Sequence, residues 1–285
     1  MKTQRKVSSD QVADHTHDAM RQASPWLERF GRFGYAAKGV VYGLIGALAV
    51  QVAFGVGGQT TDSQGALQRI AQAPFGQVML VAVGVGLVGY VLWRIIQAIM
   101  DTENKGTDAK GIATRGGYFI SGLIYAGLAL SAFQIAFGSG GGGAGSSSQG
   151  RTAQLMAQPF GQWLVGIVGV IVVGVSLYEL YRAYSAKFRE KLKLQEMSRT
   201  EEMWATRLGR LGYAAHGLAL GIIGAFLVVA AIQAQPQEAR GLGGALSTLA
   251  QQPWGSWLLG IVALGLVAYG IFMLVLARYG RMVIT

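Results

Sequence analysis

Cysteine is absent from this 285-residue chain, which excludes disulfides, iron–sulfur clusters and thiol catalysis. Charge is scarce as well. Asp, Glu, Lys and Arg make up 13% of the residues against 52% hydrophobic ones, too apolar a balance for an ordinary globular protein. The sequence has no Ser/His/Asp arrangement, no metal-binding HExxH string and no paired carboxylates within its apolar stretches, so membrane-embedded hydrolysis has no machinery. Neither enzymatic activity, a cofactor nor a bound metal is expected. His15 and His17 lack further ligands and belong to a solvated tail. The N-terminal string MKTQRKVSSDQVADHTHDAM has no apolar core, so it reads as a polar cytoplasmic tail and not as a cleaved signal peptide.

What charge there is lies segregated. It crowds into the first 33 residues, 101–115, 185–210 and the last few positions. Between these lie six apolar stretches, about 33–54, 75–100, 116–137, 160–184, 211–233 and 254–278. Each reaches the roughly 20 residues that a helix needs to cross a 30 Å hydrocarbon core. The fold class is therefore an all-α integral membrane protein with six transmembrane helices.

Of the 24 Lys and Arg residues, only Arg69, Arg151 and Arg240 fall in the connections inside the helix pairs. The positive-inside rule then puts both termini in the cytoplasm and residues 56–73, 139–158 and 235–252 outside, as in a multi-pass protein of the bacterial inner membrane. The net charge of +10 follows from these flanking residues. They point to the lipid bilayer, and to anionic lipid on the cytoplasmic side, as partners, and nucleic acid is not expected. Oligomeric state is not legible.

Three strings repeat along the chain. Pro74-Phe75-Gly76 recurs as Pro159-Phe160-Gly161 and Pro253-Trp254-Gly255, preceded by the related stretches GALQRIAQA, GRTAQLMAQ and GALSTLAQQ. Each odd helix opens on Arg32-Phe33-Gly34-Tyr35, Arg115-Gly116-Gly117-Tyr118 or Arg210-Leu211-Gly212-Tyr213. The chain divides into a polar tail (1–31), repeat 1 (32–100), repeat 2 (115–185), a charged linker (186–209) and repeat 3 (210–279). Two spans return the chain to its starting side, so the three hairpins share one orientation about a pseudo-threefold axis along the membrane normal.

Local chemistry gives each string a role. Proline is tolerated in a helix's first turn, so P-[FW]-G is expected to start each even helix with its aromatic in the interfacial belt. Before it, Leu67, Ile70 and Ala71 at helical spacing predict a short helix lying on the outer surface. The Arg and Tyr of R-x-G-Y are expected at the inner interface. Gly39, Gly43 and Gly46, matched by Gly122, Ala126, Ala129 and by Gly217, Gly221, Gly224, form a small-residue face for close helix packing. The linker, with Phe188, Leu192, Leu194, Met197 and Trp204, reads as a cytoplasmic surface helix, and the glycine-rich run from Gly138, without a G-K-[ST] ending, reads as a flexible connection.

The R-x-G-Y and A-x-x-P-[FW]-G strings resemble the bacterial membrane domain-of-unknown-function family 1206 over nearly all of residues 26–280. The resemblance implies a six-span bacterial membrane protein and no activity. The threefold plan is also similar to that of mitochondrial carriers, but their P-x-[DE]-x-x-[KR] signature is missing from every odd helix.

Ionisable residues inside spans are functional candidates. Repeat alignment places Lys38, Ser121 and His216 at one position of the odd helices, and Arg94, Glu179 and Met273 at one position of the even helices, at similar depth. Tyr42 and Tyr125 lie one turn beyond Lys38 and Ser121. Lys38, Arg94, Glu179, His216, Ser121, Tyr42 and Tyr125 thus form a candidate polar cluster in the cytoplasmic third, fit for a small-solute or ion transporter. The competing reading has Lys38 and Arg94 snorkelling to the headgroups, Glu179 paired with Arg182 on its own helix, and the protein acting as a scaffold or accessory subunit that binds lipid or a partner.

Overall fold

A computed structural model of the chain describes residues 9–103, 106–138 and 148–281, except for the side chains of 9–25, 148, 149 and 151. Among these residues the α-helices run α1 (Ser9–Ala53), α2 (Ser63–Ala71), α3 (Gly76–Met100), α4 (Ala109–Ala136), α5 (Ser148–Met156), α6 (Gly161–Ser185), α7 (Arg199–Gln233), α8 (Leu242–Ala250) and α9 (Gly255–Tyr279). Six of them, α1, α3, α4, α6, α7 and α9, are long and apolar enough to cross a membrane, with mean hydropathy of 1.6 to 2.6. The odd helices start earlier than the apolar pattern does. The Asp108 carboxylate accepts from the Gly111 N–H to cap α4, Ser198 and Glu201 close a capping box on α7, and α1 is helical from Ser9. Much of the glycine-rich run, 139–147, lies outside the described residues, as do the side chains of His15 and His17.

At the mouth of each even helix the proline does not occupy the first helical position. The aromatic is the N-cap, left-handed at φ 60° for Phe75, 62° for Phe160 and 62° for Trp254, and the glycine after it begins the helix. A Cβ on Gly76, Gly161 or Gly255 would run into a carbonyl at the end of the preceding short helix, Ile70, Leu155 or Ala250. Only glycine lets the two helices meet so tightly. The left-handed aromatic costs on the order of 1 kcal/mol. All three rings are over 80% exposed, in the place where an aromatic is worth most at a membrane interface.

Two of the short helices pack into the bundle instead of resting on its surface. Ala66, Leu67 and Ile70 of α2 and Ala245 and Leu246 of α8 are buried against the long helices, while Ala71 is exposed. The Thr60 hydroxyl donates to the Gly243 carbonyl at 3.0 Å, tying the two caps together over that end of the bundle.

The opposite end, which holds both termini, is plugged by the linker. Instead of a surface helix, 3-10 turns at Lys187–Lys191 and Leu194–Glu196 bury Phe188 and Leu192 completely. Lys193 N–H donates to Tyr279 C=O at 2.8 Å and Arg281 N–H to Lys191 C=O at 2.9 Å, which stitches this plug to the C-terminal end of α9. Trp204, grouped with the linker by its composition, stands on α7 and is exposed.

Packing of the long helices follows the glycines. The stripe of each odd helix faces the even helix of the neighbouring repeat. A Cβ on Gly39 would sit 2.8 Å from the Gly270 carbonyl of α9, one on Gly224 would sit 2.8 Å from a Val173 methyl of α6, and Gly122 opposes Arg94 of α3. A second set closes the hairpins. In repeat 1, a Cβ on Gly86 would lie 2.7 Å from the Ala37 methyl, and in repeat 3 one on Gly265 would collide with the methyl of Ala215.

In repeat 2 the residues at these two places are Ile171 and Ile120. Two β-branched side chains cannot occupy the space of a glycine–alanine contact, and α4 and α6 do not pack against each other. The six helices thus form a ring in the order α4, α3, α1, α9, α7, α6, with a seam between its ends.

Candidate functional site

Residues from all three repeats meet inside the end of the bundle that carries the termini. His216 of α7 sits between helices, with Nδ1 2.5 Å from Glu179 Oε2 of α6 and Nε2 3.1 Å from the Tyr42 hydroxyl of α1. An ionised carboxylate only accepts, so Nδ1 carries the hydrogen, and in the neutral imidazole Nε2 then accepts from Tyr42. Tyr42 in turn accepts from the Tyr125 hydroxyl of α4 at 3.5 Å. In that tautomer Tyr125, Tyr42, His216 and Glu179 form a donor chain ending on the carboxylate.

Lys38 lies beside this chain and is buried. Its ammonium has four tyrosine rings around it, with centroids at 5.6 Å (Tyr42), 5.3 Å (Tyr90), 5.0 Å (Tyr125) and 5.4 Å (Tyr269). Among the described residues it has no carboxylate at ion-pair distance. A desolvated cation–π contact is worth about 2 kcal/mol, so several together offset the roughly 2.5–3.5 kcal/mol cost of a lysine in the bilayer centre.

A second chain runs from the cage to the linker plug. Arg94 Nε donates to the Tyr90 hydroxyl at 2.8 Å and Nη1 to Gln97 Oε1 at 3.0 Å; Gln97 Nε2 donates to Glu103 Oε1 at 2.8 Å. Glu103 also pairs with Lys191 at 2.7 Å and accepts from the Tyr118 hydroxyl at 2.8 Å. Burial pushes the Lys191 ammonium down to about 8, against the pull of Glu103. A cavity of about 20 Å³ beside Gln97, Glu103 and Lys191 has room for one water.

The structure brings together Lys38, Arg94, Glu179, His216, Tyr42 and Tyr125, and Ser121 lies beside the Tyr90 hydroxyl. It does not pair Glu179 with Arg182. The Arg182 guanidinium stacks on Tyr213, 4.3 Å from the ring centroid, and donates to the Tyr213 hydroxyl at 3.2 Å.

The tyrosines expected at the interface turn inside instead, while the arginines of the same string stay at the helix ends. Tyr35 and Tyr213 of R-x-G-Y point inward, edge-on to Tyr90 and Tyr269. Arg32 donates to the Ala277 and Arg278 carbonyls of α9 and Arg115 to the Ala98 and Ile99 carbonyls of α3, so each of these arginines caps the C-terminus of the neighbouring repeat's even helix.

Sequence reasoning also missed Tyr90, Tyr269, Gln97, Glu103 and Lys191, and gave Arg182 a different partner. The recurrence of Tyr90 as Tyr269 at the same repeat position was the available signal.

Neither the cavity beside Gln97 nor a second, solvent-open one touches Lys38, Glu179 or His216. The larger, about 500 Å³ and open to solvent, is a basic cleft at the start of α7 that includes Arg189, Arg199, Arg207 and Arg210, with Glu202 bound to Arg189.

Fold and site together define a multi-pass membrane bundle of three tandem helical hairpins around a caged polar core. The chain belongs to the family described as Domain of Unknown Function (DUF1206), whose pattern matches three times, at residues 33–101, 116–186 and 211–280. It is 38% identical over 262 residues to a Bacillus subtilis (strain 168) protein described as "Uncharacterized protein YxxB", covering 92% of this chain and 94% of that one. No solved structure matches it.

Proposed function

We propose that this protein is a small-solute or ion transporter of the bacterial cytoplasmic membrane, with both termini in the cytoplasm and its polar site in the cytoplasmic third of the bundle. The observation that carries the reading is His216 joining Glu179 to Tyr42 beside a caged Lys38, because charged groups from different repeats are held together at a cost that mere anchoring would avoid. Capped at one end by α2 and α8 and at the other by the linker, the site is in an occluded arrangement.

Liposomes containing the protein and loaded with a pH-sensitive dye should dissipate an imposed proton, chloride or phosphate gradient faster than empty ones. Lys38→Met should abolish the excess. Flux indistinguishable from empty liposomes for all three ions would favour the second reading, a non-transporting scaffold or accessory subunit. The capped ends of the bundle and the basic cleft that anionic lipid could engage support that alternative.

Orientation has its own test, since the chain has no native cysteine. In intact cells, an impermeant maleimide should label Gln72→Cys, which is exposed beside α2, and spare Glu190→Cys in the linker. The opposite pattern would invert every loop.

A further inference from the structure

Several positions that are buried in repeats 1 and 3 are exposed in repeat 2, and they line the seam between α4 and α6. Val83 and Val262 are buried and their counterpart Val168 is 39% exposed; Trp93 and Phe272 are buried and their counterpart Tyr178 is 56% exposed. Ile120, Ile171 and Val175 lie between them, also exposed. From Val168 to Tyr178 the wall of α6 is about 15 Å long, roughly the hydrocarbon depth of one leaflet.

The end of the seam near the termini is polar. Tyr118 of α4 and Tyr178 of α6 flank it, with the Arg94 guanidinium 5.0 Å from the first ring's centroid and the Arg182 guanidinium 5.8 Å from the second's. Charge does not balance around this end. Lys38, Arg94, Arg182, Lys191 and Arg281 lie around it with only Glu103 and Glu179 as carboxylates, so cations are in excess. Both carboxylates are committed, Glu179 to His216 and Glu103 to Lys191, and neither Arg94 nor Arg182 has a carboxylate at ion-pair distance among the described residues.

We propose that the seam is a binding site for one anionic phospholipid of the leaflet nearer the termini, with an acyl chain between α4 and α6 and the phosphate drawn to Arg94 and Arg182. An apolar slot of leaflet depth ending in unneutralised guanidinium groups selects an amphiphile with an anionic head, and guanidinium matches phosphate oxygens two at a time. A zwitterionic lipid fills the slot without correcting the charge. The site stands whether or not the protein moves a solute.

The full-length protein, delipidated in detergent and re-exposed to phosphatidylglycerol or to phosphatidylcholine with the same chains, is read by native mass spectrometry. It should retain phosphatidylglycerol roughly tenfold more than phosphatidylcholine, and Arg182→Gln should remove most of that preference, as loss of a charge-assisted contact would. Glutamine fits this position, because Gln97 occupies its equivalent in repeat 1. Lys187→Gln, which removes an exposed charge outside the seam, should leave the preference intact.

A readout that leaves the arginines untouched is Val175→Cys. Its labelling by a lipid-soluble maleimide should slow several-fold in phosphatidylglycerol liposomes relative to phosphatidylcholine ones. Equal retention of the two lipids, or a Lys187→Gln loss as large as that of Arg182→Gln, would overturn the proposal. So would a two-chain species that alone protects Val175→Cys, since a second copy would then fill the seam.

Discussion

Replacing Gly161 by alanine should lower stability by about 1–3 kcal/mol or more, the usual cost of forcing an extra carbon into a packed site. Helix propensity predicts the opposite, since alanine in place of a helical glycine is worth up to about 1 kcal/mol. Packing decides the sign, because the new Cβ would collide with the Leu155 carbonyl at the end of α5, and backbone there cannot swing aside. Gly76→Ala and Gly255→Ala should behave alike, since Ile70 and Ala250 present the same carbonyl obstacle. Gly127→Ala and Gly174→Ala are the controls, having nothing within 4 Å of the added carbon. Apparent Tm in detergent, followed by intrinsic fluorescence, should fall by several degrees for the first three and hold or rise for the controls. A fall of equal size in all five would mean that the turn geometry is not what these glycines protect.

The contrast between these two sets of glycines shows what the sequence can and cannot convey. Long apolar stretches, the three hairpins and the recurrent P-[FW]-G were legible because span length and repetition are one-dimensional signals. Which neighbour each glycine meets was not, and neither was the direction of a tyrosine. Tyr35 and Tyr213 carry the composition of an interfacial belt, yet each has a tyrosine opposite it on the paired even helix, so they turn inward. Phe188 and Leu192 lie among charged neighbours that make the linker look like a surface, and they are buried because the end of the bundle needs a plug. The seam was written in the sequence all along. Ile120 and Ile171 stand where the other repeats have alanine and glycine, but their meaning depends on knowing that those two positions touch. At the candidate site, aligned depth grouped Lys38, Arg94, Glu179 and His216, while Glu103 and Lys191 joined only through the fold of the loops.

Removing the Glu179 carboxylate should be the most damaging single change within the polar cluster. Glu179 is the one acid within the apolar spans, and it faces His216 across the α6–α7 contact at 2.5 Å. Breaking a buried pair by deleting one partner typically costs about 3–5 kcal/mol, because the other is left without compensation. Glu179→Met, which copies Met273 at the equivalent place in repeat 3, keeps the apolar stem and tests the charge with little change in bulk. It strands Nδ1 of His216 and raises the excess positive charge around Lys38, Arg94 and Arg182. Glu179→Gln should cost less, since an amide oxygen still accepts from Nδ1–H. Arg182→Gln should be the mildest, the guanidinium losing the Tyr213 hydroxyl and its stack on that ring but no charged partner, and glutamine being the residue at this position in repeat 1. The order Met, Gln, then Arg182→Gln is read from apparent Tm. A double-mutant cycle between Glu179→Gln and His216→Gln isolates the pair, with a coupling of about 0.5–3 kcal/mol expected for groups in one network. Additivity within about 0.5 kcal/mol would show that the two residues are merely neighbours. An Arg182→Gln loss equal to that of Glu179→Met would return the carboxylate's partnership to its own helix.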